Sequence, residues 1–150
     1  MATPGLPLQQ TPYVYSNDEL RRLLAATTSL HVAHSRLRVP MYRALLLLLY
    51  GSGLRIGEAL RLTLRDVDLG EGVITVRDTK FYKSRLVPVG RKLARELAAF
   101  AALRRRHPLP DEEASRFFTT RAGRGCSYDA INIVFQRLRR PCGGHSLSAR

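Results

Sequence analysis

The stretch from Pro40 to Tyr50, Pro-Met-Tyr-Arg-Ala-Leu-Leu-Leu-Leu-Leu-Tyr, limits the fold more than any other part of the chain. At helical spacing Met41, Ala44, Leu45, Leu48 and Leu49 form one stripe, and Leu46 and Leu47 fill its flanks, so a helix here is apolar nearly all round. Such a helix is stable only when covered on several sides. It predicts the spine of a core, with other helices laid against it. Pro40 suits a first helical turn, and Gly51 and Gly53 suit the end. The apolar run from Ala44 to Tyr50 is far too short to span a bilayer.

The elements around this spine read in order. Prolines at 4, 7 and 12 predict an extended arm over residues 1–15. Ser16 and Glu19 have capping-box spacing, and Leu20, Leu23, Leu24 and Thr27 follow at helical intervals, which predicts a first helix to about residue 28. A short helix from about Leu54 turns Ile56, Ala59 and Leu60 inward and leaves Arg55 and Glu58 on another face. Residues 66–72 read as a glycine-bearing turn, Val73 to Val76 as a strand and Ser84 to Val87 as its hairpin partner, with residues 78–83 at the tip. A long helix from about Gly90 ends in Arg104-Arg-Arg-His107, a basic terminus read as solvated. Residues 107–115, proline-rich and acidic, predict an exposed loop open to proteolysis. Phe117 and Phe118 suggest one further short strand, and Ser127 caps a last helix carrying Ala130, Ile131, Val134, Phe135 and Leu138. The fold class is therefore α+β, mostly helical, with a small antiparallel sheet.

A chain of 150 residues that is 45% hydrophobic suits one domain. Its 25 Lys and Arg against 12 Asp and Glu leave a net charge of +13, for which the simplest partner is a polyanion, nucleic acid first. Only Lys80, Lys83 and Lys92 are lysines, an arginine bias that GC-rich coding would also produce. Arginine's planar fork does suit bidentate contact with phosphate. Cys126 and Cys142 are too few and too far apart for a zinc ribbon or a disulfide scaffold, which points to a reducing, cytoplasmic setting. The N-terminus lacks the basic start and apolar run of a signal peptide.

Three motifs stand at fixed spacing: Gly53-Leu-Arg-Ile-Gly-Glu-Ala-Leu60, Asp66-Val-Asp68, and Thr79-Lys80 leading to Lys83-Ser-Arg-Leu-Val-Pro88. In order and spacing they resemble the tyrosine recombinase family, the phage integrases and Xer-like enzymes, over roughly residues 13 to 148. The resemblance implies part of a catalytic domain over residues 16–150. It also implies DNA as partner, other recombinase protomers as companions, and strand breaking and rejoining through a covalent phosphotyrosine without metal or organic cofactor. It implies roles for single residues. Arg55 matches an arginine that holds the scissile phosphate, where losing one preorganised donor costs on the order of a hundredfold to a thousandfold in rate. Lys80 matches the hairpin lysine that protonates the departing oxygen, with Lys83 the runner-up. Glu58 matches a carboxylate that orients its neighbours, and His145 opens a motif that assists proton transfer. Lys83 and Arg85 join Arg55 and Lys80 as expected DNA contacts.

The sequence also departs from the pattern. Three residues after His145 stands Ser148, where the family carries a second arginine, and all six tyrosines precede His145, so none matches the nucleophile. The expectation is a chain that binds DNA and does not cleave it alone. The competing readings are a non-catalytic DNA-binding or regulatory protein that kept the phosphate-gripping face, and a basic RNA-associated protein.

Overall fold

The Ser16 box closes as its spacing demands: the hydroxyl accepts from the Glu19 N–H at 3.2 Å and the Glu19 carboxylate accepts from the Ser16 N–H at 2.8 Å. In the computed structural model, which describes residues 15–33, 35–78 and 83–140, helix α1 spans Asn17–Ala26 and tightens into a 3-10 turn over Thr27–Leu30. The Thr27 side chain is buried there, its hydroxyl donating to the Leu24 carbonyl at 2.6 Å. Residues 1–14, 79–82 and 141–150 lie outside the described residues, and with them most of the expected arm, most of the hairpin tip and the expected end of the last helix at Pro141.

Helix α2, Arg38–Ser52, is the spine that its composition predicted. Met41, Tyr42, Ala44, Leu45, Leu46 and Leu48 are all buried along it, and each fully buried leucine contributes about 1.5–3 kcal/mol. It ends at Gly53, whose φ of 68° is left-handed and therefore suits glycine. Helix α3, Ile56–Arg61, begins two residues later than Leu54, because Arg55 keeps extended backbone and serves as the N-cap. Helix α4, Arg91–Arg105, lies along α2, and helix α5, Tyr128–Arg139, packs on α1 and α3. Tyr15, read as the end of the arm, packs against this core, with the Arg139 guanidinium 5.9 Å from its ring centre.

The sheet has three antiparallel strands in chain order: β1 Val67–Asp68, β2 Val73–Asp78 and β3 Lys83–Pro88. Two expectations are corrected here. The region read as a plain turn supplies β1, which pairs Val67 with Ile74 and Asp68 with Val73 before the chain reverses at Gly72, φ 67°. Phe117 and Phe118 form no strand. A strand alternates its faces, whereas both of these neighbours are buried, at 2% and 0% exposure. Their rings cluster with Phe100, Phe118 stacking on it at 5.7 Å and Phe117 meeting both edge-on.

The basic end of α4 is also not wholly solvated. Arg104 is 1% exposed and donates from Nη2 to the carbonyls of Pro110 at 2.7 Å and Arg116 at 3.0 Å, with Asp111 3.5 Å from Nη1. Burial lowers its pKa, partly offset by Asp111. Arg105 and Arg106 remain exposed. The acidic loop is consequently tied inward as well, through Leu64 N–H to the Ser115 carbonyl and Arg65 N–H to the Glu113 carbonyl. No helix among the described residues is long and apolar enough to cross a membrane.

Candidate nucleic-acid interface

Glycine at 53 reverses the chain between α2 and α3, and this places Arg55 on an exposed corner at the start of α3. The corner is fastened from within the helix: the Arg55 backbone N–H donates to Glu58 Oε2 at 3.0 Å, so the third residue of the helix caps its own beginning. Arg55 and Glu58 therefore do not share a helical face. Arg55 stands before the helix, and its guanidinium has no ion-pair partner among the described residues.

Glu58 is taken up by the hairpin instead. Its two oxygens accept from Arg85 Nη1 and Nη2, each at 2.9 Å, in a bidentate pair. The sheet register accounts for the meeting. Arg85 stands opposite Val76 and Val87 opposite Ile74, and opposed residues share a face, so Arg85 lies on the face carrying buried Ile74 and Val76. Lys83, two residues nearer the tip, falls on that same face and is exposed. Leu86 occupies the opposite face, at 69% exposure. The hydrogen bonds from Arg85, helped by the Arg55 N–H, hold the Glu58 carboxyl down at about 2 against a smaller opposing effect of burial.

A second brace, which the sequence reading missed, secures the hairpin at the end of β2 near the tip. Asp66 is 5% exposed and accepts from Arg77 Nε at 2.7 Å, from the Thr63 hydroxyl at 2.7 Å and from the Thr63 N–H at 3.0 Å. Burial pushes the Asp66 pKa up, and those donors more than reverse it. The only signal for this role was the place of Asp66 in the second motif. No metal-binding group of three or more His, Cys, Asp or Glu occurs among the described residues.

Of the expected site residues, the structure gathers Arg55, Glu58 and Arg85 and sets Lys83 on the same face of the hairpin as Arg85. Lys80 and His145 lie outside the described residues.

Known proteins are similar to this chain over most of its length. The phage integrase family matches residues 14–148. A Sinorhizobium fredii protein described as an integrase/recombinase is 37% identical over 142 residues, 93% of this chain and 45% of that protein. The tyrosine recombinase XerA of Thermococcus kodakarensis is 38% identical over 97 residues, 65% of this chain and 31% of the relative. The chain thus spans less than half the length of these relatives. A crystal structure of XerA recombinase superposes with a TM-score of 0.69 at 27% identity, covering 89% of this chain and 44% of that one. XerH recombinase, solved bound to its difH substrate before cleavage, shares the fold with a TM-score of 0.68 at 20% identity, over 93% of this chain and 39% of that one. With a family match across nearly all of its length and a fold to go with it, the chain belongs to the phage integrase family.

Proposed function

We propose that the Arg55 corner and the β2–β3 hairpin form a cationic grip on a DNA strand, holding one phosphodiester for strand breaking and rejoining of the tyrosine recombinase kind. One observation carries this reading. The Glu58 carboxylate, which accepts the Arg55 N–H and feels the Arg55 charge, is bonded to Arg85, and the Arg55 guanidinium stays exposed without an ion pair among the described residues. An exposed guanidinium carried on a backbone corner that Glu58 holds is available to phosphate oxygens, and positive charge there lowers the barrier where negative charge develops. The recombinase relatives, one of them solved on its DNA substrate, support DNA as the partner.

Within this reading Lys80 donates the proton to the leaving oxygen, His145 assists proton transfer, and Lys83 steers the strand. Arg85 positions Glu58 first and touches DNA only with what its half-exposed guanidinium leaves over. Residues 16–150 act as part of a catalytic domain, and residues 1–15 as an arm. The site works on DNA in the cytoplasm, beside other recombinase protomers, with no metal or organic cofactor. No nucleophile is assigned.

The test is the binding of a short labelled DNA duplex at rising salt. Affinity falls linearly with salt on a logarithmic scale, because each neutralised phosphate releases counterions. Binding that ignores salt, or no binding at all, overturns the proposal.

A further inference from the structure

Apart from the Arg55 corner, a cavity of about 550 Å³ opens between the first turn of α2, the 119–127 turn and the start of α5. Neither Arg55, Glu58, Lys83 nor Arg85 lines it. Its wall carries three arginines, Arg38, Arg121 and Arg124, and no Asp or Glu. None of the three has an ion-pair partner among the described residues.

Two polar groups of this wall are buried and unpaired. Thr119 is 3% exposed, and neither its Oγ1 nor Arg38 Nε has a hydrogen-bond partner among the described residues. Buried donors without acceptors are costly, and native proteins pair nearly all of them. The Arg38 guanidinium lies 5.8 Å from the Tyr42 ring centre, so a half-buried cation rests on an aromatic face.

The N-terminus of α2 adds to the same potential. Its N-cap is Leu37, which offers no side-chain acceptor, and its first turn holds no acidic residue. Both Leu37 and Arg38 line the cavity. The positive end of a 15-residue helix therefore stands uncapped at a pocket already rich in arginine. The remaining wall, with Met41 and Ile131, is apolar.

We propose that this cavity is a second phosphate site. It takes a phosphate group carrying an organic substituent, with the guanidinium groups of Arg38, Arg121 and Arg124 gathered on the phosphate oxygens and the apolar wall covering the substituent. Its volume falls in the range of pockets for small organic ligands. The phosphate belongs either to a free mononucleotide or to the DNA backbone.

The experiment is calorimetric titration of the full chain with deoxyadenosine monophosphate and with inorganic phosphate, beside duplex binding by fluorescence anisotropy. The nucleotide binds more tightly than phosphate alone. Arg38→Met weakens it about tenfold to a hundredfold, as removal of a charge-assisted hydrogen bond does. Arg43→Met, which removes a charge from α2 outside the cavity wall, leaves nucleotide binding unchanged. Arg121 and Arg124 are exposed, so replacing both with alanine weakens binding without disturbing the core and decides the matter if Arg38→Met does not fold. A DNA source is identified if Arg38→Met also weakens the duplex and the nucleotide competes with it; a free nucleotide, if duplex binding is untouched. The proposal fails if the folded cavity variants bind phosphate, nucleotide and duplex as the parent chain does, or if the parent chain binds none of them.

Discussion

Glu58 and Arg85, 27 residues apart in the chain, meet through two 2.9 Å hydrogen bonds, one to each carboxylate oxygen. One of those oxygens also accepts the backbone N–H of Arg55 at 3.0 Å. A single carboxylate thereby fixes the Arg55 corner and the hairpin to each other while sparing the Arg55 guanidinium.

The depressed pKa of Glu58 gives a stability contribution with a definite pH window. A carboxyl lowered by folding stabilises the folded state above its ordinary pKa of 4.5, and that contribution is lost as pH falls through the folded value of about 2. Arg85→Met removes the main cause. In an NMR titration the Glu58 midpoint then rises toward the ordinary carboxylate range, and acid unfolding loses its dependence on Glu58. An unmoved midpoint refutes the brace.

Arg55→Ala removes an exposed cation that makes no ion pair among the described residues. Its effect on the urea midpoint is small, within about 0.5 kcal/mol. Duplex affinity falls on every sequence tested, and the slope of log affinity against log salt becomes shallower by about one. An unchanged slope removes Arg55 from the phosphate contact.

Arg104→Met leaves the carbonyls of Pro110 and Arg116 without their buried donor. Urea denaturation shows a loss of about 3 kcal/mol, the sum expected for two stranded acceptors. Limited proteolysis cuts residues 107–115 earlier in the variant than in the parent chain. Equal cutting in both would show that Arg104 does not anchor the loop.

Gly123 has φ 79°, and a Cβ there would stand 2.5 Å from Pro110 Cδ, part of a ring that cannot swing aside. Gly123→Ala destabilises by about 2 kcal/mol or more, from left-handed backbone strain and the clash together. Thermal unfolding checks it, and an unshifted midpoint would refute it.

Most of the helical frame could be read from residue order, because capping and periodicity are local. Ser16 with Glu19, Gly53 after Ser52, Gly90 before Arg91 and Ser127 before Tyr128 each mark a boundary that the structure keeps. The hairpin was legible for the same reason. Less visible were features made by distant neighbours. Arg104 sits at an apolar interval in α4 but reads as a helix-end charge until residues 110 and 116 return to it. Phe117 and Phe118 have strand-like composition, yet Phe100 draws both rings inward. Val67 and Asp68 are too short a run to announce a strand without Val73 and Ile74 beside them. In the site, the motif pointed to Arg55, Glu58 and Arg85. Only the sheet register shows that Glu58 faces the hairpin rather than its near neighbour.

The shortness of β1 leaves part of the sheet's rim open. It covers Val73 and Ile74 alone, so over residues 75–78 β2 has β3 on one side and no strand on the other among the described residues. Exposed rims of this kind invite a foreign strand to add itself, and natural chains deter that with charge. Arg77, half exposed within this stretch, is bonded to Asp66 of the 3-10 turn Leu64–Asp66, and that turn lies against β2 where an approaching backbone would have to lie. The Asp66–Arg77 pair thus holds a guard against self-stacking into fibrils, and replacing Arg77 would loosen it.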